Sequence, residues 1–163
     1  MAALTATACG SDERTASTSA RKPPRPPACA VVTTRTVAQA LHVPQREVRA
    51  GPAQASEVSR CRFRAGAAIV EVIVDTAASA STRYRYSVEE QQQFYADEPK
   101  LRPRPVKGVG TDHPYVPGAN WTPARQQLVA LRGERIVKVS VEKVPEAKAR
   151  RSAAEIGRAA FSR

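Results

Sequence analysis

Arg60-Cys-Arg-Phe-Arg-Ala-Gly-Ala-Ala-Ile-Val-Glu-Val-Ile-Val-Asp75 decides the fold class of this chain. In its first half Cys61, Phe63 and Ala65 alternate with Arg60, Arg62 and Arg64. A period of two marks a strand buried on one face and solvated on the other. Gly66 permits a turn. Residues 67–75 follow as a β-branched strand with apolar side chains on both faces, which predicts a place inside the sheet. Strands joined by so short a connection pair antiparallel.

The same logic recurs late in the chain. Gln126-Gln-Leu-Val-Ala-Leu-Arg132 and Arg135-Ile-Val-Lys-Val-Ser-Val141 flank Gly133-Glu134, a second hairpin. Helical signals surround the two hairpins. Thr34 or Thr36 caps a short helix to about His42, with Val37, Ala40 and Leu41 on one face. Pro44 and Gly51-Pro52 close that segment. Ser87-Val-Glu-Glu90 reads as a capping box opening a helix to about Ala96, which Pro99, Pro103 and Pro105 end. Pro145 suits the first turn of a closing helix, whose buried stripe is Ala149, Ala153, Ile156 and Ala160, with Arg150, Arg151 and Arg158 around it. The expected architecture is α+β: an antiparallel β-sheet with helices packed on one face, forming a single domain over residues 29–163.

Ahead of that domain the chain changes character. Residues 10–28 are rich in Ser, Thr and Pro, and Arg21-Lys-Pro-Pro-Arg-Pro-Pro27 favours extended polyproline II, so a disordered tether is expected there. Before it stands Met1-Ala-Ala-Leu-Thr-Ala-Thr-Ala-Cys-Gly10. Small residues leading to Cys9, then Gly10 and Ser11, read as the end of a lipoprotein signal, with residues 1–9 its remnant and Met1 inside it. On that reading Cys9 is lipidated and tethers the domain to a membrane surface.

Three cysteines, Cys9, Cys29 and Cys61, match no zinc or redox spacing. In an exported protein a lipidated Cys9 and a Cys29–Cys61 disulfide account for the odd count; in a reducing cytosol all three would be thiols. The net charge of +11 and pI near 10.3 fit either anionic partners or the Arg- and Ala-heavy usage of a GC-rich genome. No apolar run reaches the ~18–20 residues of a membrane span.

These features resemble a class of actinobacterial cell-envelope lipoproteins carrying domains of unknown function. The resemblance rests on Cys9-Gly-Ser11 with its tether, Cys29-Ala-Val-Val-Thr-Thr34 opening the domain, Cys61-Arg-Phe-Arg64 beginning a strand, Val106-Lys-Gly-Val-Gly110 as a turn, and a last hairpin followed by an Ala-rich helix. It implies an extracytoplasmic location and this kind of fold. It implies no common activity.

Catalytic signals are sparse. His42 and His113 are the only histidines, and adjacent residues such as Asp112 and His113 point to opposite faces of an extended segment. No serine-nucleophile elbow accompanies them. Cys61 lies on the apolar side of its strand, where a structural role is expected. Glu71, between Ile69 and Ile73, is expected on an exposed face; Gly108 and Gly110 serve backbone conformation.

Binding character is concentrated in Arg83-Tyr-Arg-Tyr86 together with Arg60, Arg62 and Arg64. Arginine paired with aromatic rings suits phosphates, acidic glycans and single-stranded nucleic acid. Read as a strand, this segment puts Arg83 and Arg85 on one face and Tyr84 and Tyr86 on the other; the plainer alternative is a solvated basic face over two core tyrosines. Trp121 is a further contact residue or a loop anchor. The expectation is a lipid-anchored or secreted envelope protein at the outer face of the cell membrane, not an enzyme and without cofactor, binding an envelope ligand or protein partner. The alternative is a cytosolic basic protein that binds RNA or DNA through an Arg/Tyr face.

Overall fold

The computed structural model describes residues 28–52, 58–76, 80–110 and 118–162. Cys9, the signal remnant, the tether up to Pro27, and Asp112-His113 lie outside the described residues. The domain is α+β, built on one antiparallel seven-stranded sheet.

The strands are β1 (Val48–Ala50), β2 (Val58–Ala65), β3 (Ala68–Thr76), β4 (Arg104–Pro105), β5 (Ala119–Thr122), β6 (Gln127–Arg132) and β7 (Arg135–Glu142). Their spatial order is β1-β2-β3-β7-β6-β5-β4. Two meanders therefore meet at a seam. β1 to β3 run outward to inward, the chain then crosses to the far edge, and β4 to β7 return until β7 pairs with β3, from Ile69 opposite Glu142 to Thr76 opposite Arg135. The two predicted hairpins are β2–β3, with Cys61 opposite Val72, and β6–β7, with Leu131 opposite Ile136.

Alternation sorts the sheet into two faces. The first carries Cys61, Phe63, Val70, Val72, Val74, Trp121, Leu128, Ala130, Val137, Val139 and Val141, all buried. Three helices cover it: α1 (Ala28–Val31), α2 (Thr34–Leu41) and α4 (Glu146–Phe161). The Thr33 side chain caps α2 by accepting from the Thr36 N–H. On α4 the expected stripe of Ala149, Ala153, Ile156 and Ala160 is wholly buried, and Pro145 stands at its N-cap. Ser152 Oγ donates to the Ala40 carbonyl at 2.7 Å, joining α4 to α2.

The Cys29–Cys61 disulfide ties α1 to β2 across a Cα–Cα distance of 5.2 Å. Beside it the Ala28 N–H donates to Ser59 Oγ on the same strand.

The remaining helix departs from expectation in place and extent. α3 (Ala80–Phe94) begins seven residues before the predicted capping box, so Ser87 lies in mid-helix. It also lies on the second face of the sheet, where Ala80 and Tyr84 pack on Val129 and Ile136, with Val88 and Leu131 at the margin. Three helices thus share one face, and the fourth covers part of the other. The cause is the sequence of the second face, which is apolar at Val129, Leu131 and Ile136 and needs a cover there.

Val106-Lys-Gly-Val-Gly110 is a backbone device, as expected. Val109 is buried in the main core between Gly108 and Gly110, both with positive φ. No described helix is long and apolar enough to cross a membrane.

Candidate anion-binding face

α3 covers the β5–β6–β7 half of the second face and reaches β3 at its end, through Asp75. Its seat is partly polar. Asn120 Nδ2 donates to Tyr84 Oη at 2.7 Å, Thr122 Oγ1 donates to Gln91 Oε1, and Arg83 Nη1 donates to Asp75 Oδ2 at 2.8 Å. Asn120, Thr122 and Gln91 are all buried, so these bonds replace the water their polar atoms lose. Burial raises the Tyr84 phenol to about 12, against which the Asn120 hydrogen bond acts in the opposite direction.

Apart from that end of β3, the β1–β2–β3 half has no helix over it among the described residues. The ladder places Arg60 opposite Ile73, Arg62 opposite Glu71, Arg64 opposite Ile69, and Arg49 opposite Arg64, all on this second face. Arg49, Arg60, Arg62 and Arg64 are exposed, whereas Ile69, Glu71 and Ile73 are half-buried between them and the middle of the sheet. The four arginines and Glu71, with Ala50, Gly51 and Pro52, line a shallow depression of about 470 Å³. The strand pattern in Arg60–Ala65 creates this directly: every residue that is not core is arginine.

Among the described residues lining the depression, one carboxylate stands among four guanidinium groups. Glu71 Oε1 lies 3.8 Å from Arg60 Nε, diagonally across the strands, although Arg62 is its direct opposite. Among the described residues no acidic side chain pairs with Arg49, Arg62 or Arg64. Next to Glu71 on the inner side, Ser140 Oγ accepts from Gln127 Nε2 at 3.0 Å, while Lys138 opposite Ile73 and Glu142 opposite Ile69 add one charge of each sign to the margin towards α3. Arginine keeps its charge at any physiological pH and presents a planar fork of donors. What this arrangement can do chemically is hold anionic oxygens.

The other expected binding residues are placed differently. Arg83-Tyr-Arg-Tyr86 is helical, so its two tyrosines do not share a face: Tyr84 is buried against the sheet, while Tyr86 is 68% exposed on the outer side of α3. Arg83 is engaged with Asp75, and Arg85 is exposed on α3. Trp121 is neither a contact residue nor a loop anchor. It lies on β5, wholly buried on the first face. Its Nε1 has no hydrogen-bond partner among the described residues. The Arg/Tyr face is therefore replaced by a surface of arginine alone, joined by Arg49, which sequence reasoning missed because its three-residue strand is too short to show a period.

His42 is exposed and closes α2 in the left-handed region. Among the described residues no three His, Cys, Asp or Glu side chains gather as a metal site would require. No family model, no curated protein and no solved structure matches this chain.

Proposed function

We propose that this is an exported, lipid-anchored envelope protein whose domain binds an anionic ligand on the uncovered β1–β2–β3 face. The observation that carries the reading is the set of four exposed arginines, Arg49, Arg60, Arg62 and Arg64, around the single carboxylate of Glu71. Among the described residues that line it, four positive charges and one negative leave a surplus of three positive charges. The Cys29–Cys61 bond supports export, since such bonds persist in oxidising compartments. Cys9-Gly-Ser11 supplies the attachment point.

The domain binds without catalysing. Arginines hold charge and donate hydrogen bonds but exchange no protons near neutral pH, which suits recognition better than acid–base work. Binding of the full chain to isolated envelope fragments tests this reading. Wild type should be retained at low salt and released as salt rises. The Arg62→Glu/Arg64→Glu variant should pass through; equal retention of both would refute the assignment of the face. Replacing Cys9 by Ser in the expressed gene should move the protein from the membrane to the soluble fraction.

A further inference from the structure

The arginines form a line as well as a cluster. Arg60, Arg62 and Arg64 project from one face of β2 at every second residue, so their Cα atoms are about 6.6–6.8 Å apart along the strand. Six covalent bonds separate each Cα from the next in that row. Six bonds also separate successive phosphorus atoms in any polymer whose phosphodiesters are joined through three carbons: P–O, O–C, C–C, C–C, C–O and O–P. Extended, six such bonds span about 6.6–7.2 Å, the reach of two peptide residues. The charge repeat of such a polymer therefore matches the charge repeat of this strand.

We propose that the β2 row binds an extended polyol-phosphate chain, one phosphate per arginine. Arg60, Arg62 and Arg64 take three consecutive phosphates, and Arg49, beside Arg64, adds a second guanidinium to the last of them. This deepens the proposed function and rests on it. Guanidinium forks suit phosphate oxygens in paired hydrogen bonds. Ile69 and Ile73, half-buried at the inner margin, offer apolar contact to the carbons between phosphates. A nucleic-acid strand shares the six-bond repeat but also carries bases that seek rings to stack on. Among the described residues the face offers none: Tyr84 and Trp121 are buried, and Tyr86 and Phe94 belong to α3.

Calorimetric titration of the full chain at low ionic strength tests the register, with synthetic oligo(glycerol phosphate) of one, three and six phosphates as probes. Affinity should rise at least ~10-fold from one phosphate to three and change little more at six, once avidity along the row is satisfied. Arg62→Glu should cost ~10-fold or more for the three-phosphate probe, and Arg62→Gln a smaller factor. The same reversal at the exposed Arg158 of α4 should cost clearly less than at Arg62, because Arg158 lies on the opposite side of the sheet and makes no contact with the row. Equal loss at Arg158 would overturn the proposal in favour of unspecific charge. Tighter binding of hexathymidylate would overturn it in favour of nucleic acid. Polyglutamate binding as tightly as the phosphate probes, with the same Arg62 sensitivity, would sink the phosphate register yet leave an anion-binding face. No Arg62-sensitive binding to any of these polyanions would remove both.

Discussion

Arg49 and Arg64 stand directly opposite each other on the β1–β2 ladder, both exposed and both on the face that no helix covers. Like charges in that position repel and destabilise the pair by about 0.2–1 kcal/mol. Arg64→Thr removes the repulsion and places a β-branched residue on the strand. The unfolding free energy read from urea titration should rise by that amount, while affinity for the three-phosphate probe falls. A variant that loses stability along with affinity would show that the opposition carries no cost.

The disulfide holds α1 to β2 over a sequence separation of 32 residues. Closing a loop of that size restricts the unfolded chain by about 3–4 kcal/mol in the entropy model. Cys29→Ala should therefore unfold at markedly lower urea than the oxidised wild type. Adding reductant should bring wild type to the same midpoint and leave the variant where it was.

Gly110 and Gly133 both have positive φ, but only one of them is crowded. A Cβ on Gly110 would lie 2.5 Å from both the Gly118 and Leu131 carbonyl oxygens, whereas one on Gly133 would meet nothing within 4 Å. Gly133→Ala should cost about 1 kcal/mol, the strain of a side chain in the left-handed region. Gly110→Ala should cost clearly more, since backbone has to move, and thermal denaturation of the two variants should separate them widely.

Burial raises the Tyr84 phenol from 10 to about 12. The folded state therefore favours the protonated form. Its contribution is fully present below pH 10, falls as the unfolded phenol ionises above pH 10, and is lost through pH 12. The size is about 2–3 kcal/mol over that window. Tyr84→Phe should lower stability at pH 8, because Asn120 loses its partner, and should flatten the decline between pH 10 and 12. An unchanged alkaline slope would assign that decline to other groups.

The main frame was legible because periodicity reports burial. Cys61, Phe63 and Ala65 alternate cleanly, and Ala149, Ala153, Ile156 and Ala160 repeat at helical spacing; all lie where that pattern puts them. α3 was misread for a related reason. Arg83-Tyr-Arg-Tyr86 happens to alternate over four residues, whereas the burial that matters recurs at Ala80, Tyr84 and Gln91, too sparse to outweigh it. The Ser87 box then drew the helix start to the wrong turn. β5 was invisible as a strand because all four of its residues, Ala119 to Thr122, are buried, with Trp121 on one face and the hydrogen-bonded Asn120 and Thr122 on the other. The arginines of β2 were recognised as one face, but their exposure depends on where α3 stops, and that is fixed by tertiary packing.

The seam between β3 and β7 also governs when the fold can finish. Until Glu142 has been made, β3 has one naked edge, and until α4 follows, the first face has lost one of its covers. Pairings this distant in sequence are slow to close, because the intervening chain has to be ordered first. That makes β7 the keystone of the sheet: a chain cut before Arg135 would leave β3 with an unpaired edge and should gain a tendency to self-associate through it.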